Sequence, residues 1–460
     1  MEMVDKVFLD WLIAGGAEFH KISWPSTDTI SGIRGAIALE DISTNEHMIT
    51  IPSHLMISPP VIFNDPDIGE ILRKCYDIIE GDLLLVLYMM REMNKKEKSF
   101  FYPFLQILPE PSNISVWMDD QLKMFQDPTL VLRAKNRRQY QKLMYHRSVV
   151  ALHHRYPNIF PLEEYTLKAF AFCLNSVQAR AFGRRLPWSA MVPFADCLNH
   201  GNVQTKYDYN VEGNNKFRLF PSGKNHYRMG SEVFNSYGRR PNENLLQDYG
   251  FAMLDNEWEE VDLHFEIPEG DLNYSWKRRA LFAMGHSTRR LFRMNTCGLS
   301  FEMLSCLRVA VLHEDEIEVM EDNEFNPERI QMDKFSQVSP ISMFHRIVGR
   351  ENELRALRTM FTCLNELVES WPTSLENDEL LLIDLLHLRP NKSSSEKGTE
   401  ITRIVQRLGF DYDSDEYWKL LNAVKYRLTR KRIITKGIHM VNTLISWFED
   451  QPSSSGQQSK

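Results

Sequence analysis

Two blocks of short strand-like runs, separated by on the order of 100 residues of helical texture, constrain this chain more than any other feature. The first block follows the turn Ser31-Gly32-Ile33-Arg34-Gly35. It runs through Ala36-Ile37-Ala38-Leu39, Glu40-Asp41-Ile42 and Met48-Ile49-Thr50-Ile51, where Pro52 stops it. Runs of about four apolar or β-branched residues between Gly, Asn and Pro breakers predict a small β-meander. The second block is carried by PWSAMVPFADCLNH, YDYNV, FRLF and SEVFNSYG, between Pro187 and Gly238. Neither block could be stable alone as an isolated hairpin. The two must meet in space to bury their apolar faces.

Between the blocks, Asp82 is placed to cap a helix through LLLVLYMMREM, and QLKMFQ and RRQYQKLMYHRSVVALHH continue in helical style. Helical patterning resumes after about residue 255. Leu354, Leu357, Met360, Phe361, Leu364, Leu367, Val368 and Trp371 recur at helical spacing until Pro372, a stripe that predicts core packing. Tyr417, Leu420, Leu421 and Val424 repeat the pattern, as do Met440, Leu444 and Trp447. The polar stretch Pro390 to Glu400 is expected to be a loop, and the tail QPSSSGQQSK is expected to be disordered.

Charge and cysteine usage exclude several function classes. With 54 Lys and Arg against 62 Asp and Glu, the net charge is −8, a poor basis for gripping nucleic acid. The basic run from Lys425 to Arg432 could serve as a nuclear signal or an acidic-substrate patch, but a solvated helix face is the preferred reading. Six cysteines without a close pair argue against a disulfide scaffold and a structural zinc site, and favour a reducing compartment. The N-terminus mixes acidic with apolar residues and does not read as a signal or transit peptide. The longest apolar run, Leu83 to Met90, has eight residues where a membrane span needs about 20. A soluble, cytoplasmic protein is expected, with the nucleus as the alternative and no nucleic-acid or membrane partner.

No phosphate-binding loop, nucleophile elbow, zinc-binding helix or dinucleotide fingerprint is present. The stretch from Arg180 to Phe251 carries the chemical signal instead. It contains Arg180-Ala181-Phe182, then Ala195-Asp196-Cys197-Leu198-Asn199-His200, then Tyr207-Asp208-Tyr209. Gly230 to Gly238 and Asn242 to Phe251 follow, ending in Tyr237-Gly238 and Tyr249-Gly250-Phe251. This order is similar to that of the SET-domain methyltransferases related to the RuBisCO large-subunit lysine methyltransferase. There an R-A-F segment, an A-D-x-x-N-H segment, a Y-x-Y strand, a Tyr-Gly and a final Tyr-Gly-Phe recur in the same sequence. GIRGAIALEDIS resembles that family's first glycine turn, with Ile33 where its first glycine belongs and Gly32 displaced to the left.

The resemblance implies an α+β fold: a split SET domain of small β-sheets with a pseudoknot, an inserted helical subdomain, and an all-α substrate-binding domain. The parts are placed at 1–60 and 176–255 for the SET domain, 61–175 for the insert and 256–450 for the C-terminal domain, with a tail at 451–460. The implied cofactor is S-adenosyl-L-methionine, with no metal. Arg180 would meet its carboxylate, Asn199 and His200 would hold its adenine and methionine parts, and Phe251 would stack on adenine. Gly32 and Arg34 would add backbone contacts, and Asp196 would support the loop. Tyr237 and Tyr249 are the implied catalytic pair, Tyr237 also lying against the cofactor. Phe182, Ala195 and Tyr209 would line the substrate channel.

Methyl transfer to an amine is an in-line displacement that needs alignment rather than a covalent intermediate. A lysine must first lose its proton, which costs about 4–5 kcal/mol at pH 7, and a narrow aromatic channel favours the neutral form. The expected function is therefore protein-lysine N-methylation of a non-histone protein by a monomer, the substrate held by the channel and the C-terminal domain. The alternatives are protein-histidine methylation and an inactive SET scaffold. The motif residues argue against the scaffold, which only Ile33 favours. A histidine-modifying relative of this branch carries asparagine at the position of Phe182 and tryptophan at that of Ala195 and lacks the tyrosine of Tyr209, so the resemblance implies lysine over histidine.

Overall fold

The computed structural model describes residues 2–27, 33–79, 81–298, 300–322, 348–387 and 414–450. Gly32, the Pro390 to Glu400 stretch and the 451–460 tail lie outside the described residues. The chain divides into two units, one of Met1–Leu122 with Pro128–Phe251 and one of Lys123–Asp127 with Ala252–Lys460.

In the first unit the separated strand blocks pair as their apolar content requires. Strands β1 (Ile22–Ser26) and β2 (Gly35–Ala38) form an antiparallel ribbon with Ile22 opposite Ala38. Strands β3 (Ile49–Pro52), β4 (Thr205–Tyr209) and β5 (Lys216–Pro221) form an antiparallel sheet in the order β3-β5-β4. Ile49 lies opposite Leu219 and Ile51 opposite Phe217, so β3 of the first block is completed by β5 of the second. The period-two alternation of β5 sends Phe217 and Leu219 into the core. Isolated bridges from Ile37 to Glu232, Ile42 to Tyr227 and Ile57 to Met191 stitch the blocks further.

Three expected strands are shorter than their texture suggested. Glu40-Asp41-Ile42 contributes only the Ile42 bridge, and the stretch from Pro187 supplies bridges at Ala190 and Met191 before a 3-10 turn at Ala195–Cys197. Gly230 to Gly238 forms no regular strand because its backbone changes partner midway. Ser231 and Val233 bond Ala38 and Ala36, whereas Asn235 bonds Asn199 and Gly201. That second pairing is parallel, His200 beside Asn235, and joins the segment after Ala195 to the one after Gly230.

Helices surround this sheet system. Helix α1 (Met3–Ala14) buries Phe8 and Leu12. Helix α2 (Asp82–Lys95) starts at Asp82, but its N-cap is Gly81 at φ +63°. Asp82 thus serves the helix dipole from the first turn rather than capping it. Helix α3 (Pro128–Tyr145) and helix α4 (Leu167–Arg180) follow, the latter capped by Thr166, whose hydroxyl accepts from the Ala169 N–H at 3.2 Å. Helix α5 (Asn242–Asp248) closes the unit.

Among its described residues the second unit is helical except for one antiparallel ribbon, which corrects the all-α expectation. Strands β6 (Glu260–Glu266) and β7 (Arg289–Asn295) pair from Glu260 opposite Asn295 to Glu266 opposite Arg289. Val261, Leu263 and Phe265 alternate inward with Phe292 and Met294, a period of two that no helix would bury on one face. Helix α6 (Tyr274–Ala283) connects them, and α7 (Phe301–Ala310), α8 (Arg350–Glu369) and α9 (Leu375–His387) pack beyond. The expected stripe holds: Leu354, Leu357, Met360 and Leu364 are buried on α8. Helix α10 (Asp415–Asp450) is 36 residues long.

The basic run on α10 is not a solvated face. Arg427, Arg430 and Lys431 are buried. Arg427 Nη2 and Lys431 Nζ both donate to the Asp378 carboxylate, at 2.6 and 2.7 Å, and the Lys431 ammonium lies 5.0 Å from the centre of the Trp371 ring. Only Arg432 among these four is well exposed, with 47% of its side chain accessible, so the run is core electrostatics rather than a signal or a patch.

Candidate active site

The site is assembled where α4 ends, where the segment 194–200 turns, and where residues 232–251 return beside it. Arg180 is the last residue of α4. Its Nη1 donates to the Asp196 carbonyl at 3.0 Å and to Asp196 Oδ2 at 3.2 Å. Asp196 has no exposed side chain, so this charge-assisted pair fixes the turn from inside. The turn itself begins at Phe194, whose φ of +72° is unusual for an aromatic residue and is stabilised by stacking on Phe19 at 4.0 Å.

Asn199 spends its amide nitrogen on protein groups. Nδ2 donates to Glu232 Oε1 at 2.9 Å and to the Arg34 carbonyl at 3.3 Å. Arg34 in turn pairs with Asp5 and sets its guanidinium 4.2 Å from the Trp24 ring centre. The neighbouring His200 accepts the Tyr237 backbone N–H at Nδ1, 3.0 Å away, a shorter contact than the 3.4 Å from Nδ1 to the Asn235 carbonyl, and on that ground the ring proton is assigned to Nε2. Nε2 is buried and has no protein partner. Burial holds the imidazole below the usual histidine range, so the ring is neutral at pH 7.

Four aromatic rings close this corner. His200 stacks on Tyr237 at 5.0 Å and 24°, Tyr237 faces Tyr249 at 4.6 Å, and Phe251 stands 6.4 Å from Tyr237 and 6.1 Å from Tyr249. The Tyr237 hydroxyl donates to the Leu198 carbonyl at 2.8 Å. Burial raises both phenols above their ordinary value, so neither ionises near neutrality. Gly250 makes the Tyr249–Phe251 turn: at φ +84° a Cβ there would come within 2.2 Å of the Ser112 carbonyl oxygen. The Ser112 hydroxyl donates to the Tyr249 carbonyl at 3.0 Å.

The three residues expected to line a channel lie next along the chain or on the neighbouring strand: Ala195 shares the 3-10 turn of Asp196, Phe182 follows Arg180 by two residues and Tyr209 ends β4. Phe182 meets Tyr207 and Phe217 edge-on at 5.3 and 5.1 Å, and Tyr209 meets Trp188 at 5.1 Å. Phe182 keeps 8% of its surface and Ala195 is fully buried. Arg180, Asp196, Asn199, His200, Tyr237, Tyr249 and Phe251 are thus gathered in one corner, with Arg34 reached through Asn199. Sequence reasoning missed Glu232, Ser112, Trp188 and Arg240. Glu232 stands inside the quoted Gly230 to Gly238 segment and Arg240 just after it, but both read as ordinary surface charges.

The orphaned Nε2–H of His200 is the observation that fits a bound polar ligand, since a buried donor without an acceptor is costly. Among the described residues no cluster of three or more His, Cys, Asp or Glu could hold a metal ion, and no helix is long and apolar enough to cross a membrane.

Residues 268–434 match the family described as Rubisco LSMT substrate-binding. The ribulose-1,5 bisphosphate carboxylase/oxygenase large subunit N-methyltransferase of Pisum sativum is 26% identical over 279 residues, 58% of this chain and 55% of that protein. The human actin-histidine N-methyltransferase is 22% identical over 367 residues, 76% of this chain and 58% of that one. The chain spans little more than half the length of these curated relatives. Rubisco LSMT bound to AdoMet superposes with a TM-score of 0.69 at 20% identity, covering 100% of this chain and 98% of the other. The SET domain of LSMT bound to lysine and AdoHcy gives 0.68 at 18% identity, with 98% and 93% covered. The fold is that of the LSMT-type SET proteins.

Proposed function

We propose, on the premise that this chain is an LSMT-like SET-domain protein, that it transfers methyl groups from S-adenosylmethionine to a lysine of a non-histone protein. One observation carries the reading: Tyr237, its hydroxyl anchored on Leu198, is sandwiched between His200 and Tyr249 where the two motif segments pair. When bound, S-adenosylmethionine supplies a methyl group activated on a sulfonium. Arg180 and Asn199 would hold its charged end, His200 Nε2–H would donate to it, and Phe251 would cover its base. Tyr237 stays protonated and donates to Leu198, which leaves its lone pairs free for weak C–H···O contacts. The aromatic wall of Tyr237 and Tyr249 disfavours an ammonium ion and so favours the neutral amine that can react.

A second reading, histidine as the acceptor, is favoured by the longer alignments to actin-histidine N-methyltransferases. The enclosed apolar ring of Phe182 and the presence of Tyr209 support lysine, because an imidazole acceptor wants a polar partner for its second nitrogen. Action as a monomer, in the cytoplasm or nucleus, with the second unit binding the protein substrate, belongs to the same proposal. Calorimetric titration with S-adenosylhomocysteine in the presence of a chelator should give one-to-one binding, and labelled cofactor should mark a protein in a lysate. Binding without label transfer would favour a scaffold, and absence of binding would remove the assignment.

A further inference from the structure

We infer that Asp248 is a positioning residue for the tyrosine pair, coupling the inserted helices α3 and α4 to the wall formed by Tyr237 and Tyr249. Its role in catalysis rests on the methyl-transfer reading, but its geometry does not. Asp248 is the last residue of α5, where the helix dipole disfavours a carboxylate. It is compensated from two sides. Arg137 of α3 donates from Nη1 to Oδ1 at 2.8 Å, and Arg240 donates from Nη1 to Oδ2 at 2.8 Å. The Arg137 side chain is 9% exposed and donates its Nη2 to Gln178 Oε1 of α4 at 2.7 Å.

Arg240 carries the linkage forward. Its Nε donates to the Tyr237 carbonyl at 3.1 Å, and its guanidinium sits 5.6 Å from the centre of the Tyr249 ring. Two hydrogen bonds from one planar fork fix the plane of the guanidinium and hence its seat on that ring. Arg137, Gln178 and Asp248 also line an open cleft of about 600 Å³. The order of contacts is therefore Gln178, Arg137, Asp248, Arg240 and then the two tyrosines.

Arg137 hydrogen-bonds Asp248 and Gln178 rather than either tyrosine, which makes it the place to test the coupling. Full-length protein labelled with ¹³C at the tyrosine ring gives the readout, with Tyr249 assigned by Tyr249→Phe. Arg137→Gln should displace the Tyr249 resonance, and the displacement should vanish when the same change is made in an Asp248→Asn background. Arg137→Lys, which keeps the charge without the fork, should displace it less. If the protein methylates, Arg137→Gln should lower kcat by about tenfold with cofactor Kd unchanged, as expected for lost alignment. A Tyr249 resonance indifferent to Arg137→Gln and Arg137→Lys, or displaced equally in the Asp248→Asn background, would overturn the inference. A protein that transfers no methyl group but shows the coupled displacement keeps the relay and loses only the methyl-transfer reading.

Discussion

Tyr237 is held at three points: its hydroxyl on Leu198, its backbone N–H on His200 and its ring between His200 and Tyr249. Tyr237→Phe keeps the ring and removes only the oxygen. Losing one hydrogen-bonding group of this kind is worth about 1–2 kcal/mol, roughly a five- to thirtyfold fall in turnover. Cofactor affinity should stay nearly constant, and single-turnover rates alongside calorimetry separate the two. Asn199→Ala acts differently, because it takes a donor from the buried Glu232 carboxylate and another from the Arg34 carbonyl. That change should weaken S-adenosylhomocysteine binding by about 1–3 kcal/mol; unchanged affinity would remove Asn199 from the site. Most residues of this corner were legible in the sequence because they sit in compact motifs. Glu232 and Arg240 were not, since a charged residue declares its partner only once the chain has folded.

At the scale of elements, the meeting of two distant strand blocks was legible because short apolar strands cannot stand alone. The β6–β7 ribbon was missed, although Val261, Leu263 and Phe265 alternate cleanly, because helical stripes on either side dominated the reading. The basic run of α10 was misread for a related reason: helical spacing puts Arg427 and Lys431 on one face, but only the fold brings Asp378 to it. Burial pushes the Asp378 carboxyl up, yet hydrogen bonds from Arg427 and Lys431 outweigh it and hold the group below its ordinary value. Asp378→Ala strands two buried cations and should destabilise the second unit by about 3–5 kcal/mol in denaturant titrations. A carboxyl lowered by folding stabilises above its unfolded pKa of about 3.9 and loses that contribution as pH falls through the folded value. The stability gap between wild type and Asp378→Asn should therefore close in strongly acidic solution; a gap independent of pH would contradict an ionised Asp378.

At the scale of the whole molecule, the first unit carries the corner where the motif segments pair, and the second contains the residues matching the Rubisco LSMT substrate-binding family. The acceptor is the point on which the relatives diverge, since both a large-subunit N-methyltransferase and actin-histidine N-methyltransferases align with this chain. Under the proposed lysine reading, Phe182 is the residue at which this divergence is tested. Its ring is enclosed by Tyr207 and Phe217, and Phe182→Asn would place a hydrogen-bonding amide there. The most direct measurement is the identity of the methylated residue after wild-type protein has labelled a lysate with S-adenosylmethionine and the product has been hydrolysed. The account predicts Nε-methyl-lysine, reduced by Tyr237→Phe and eroded by Phe182→Asn; methyl-histidine without methyl-lysine from the wild-type protein would contradict it.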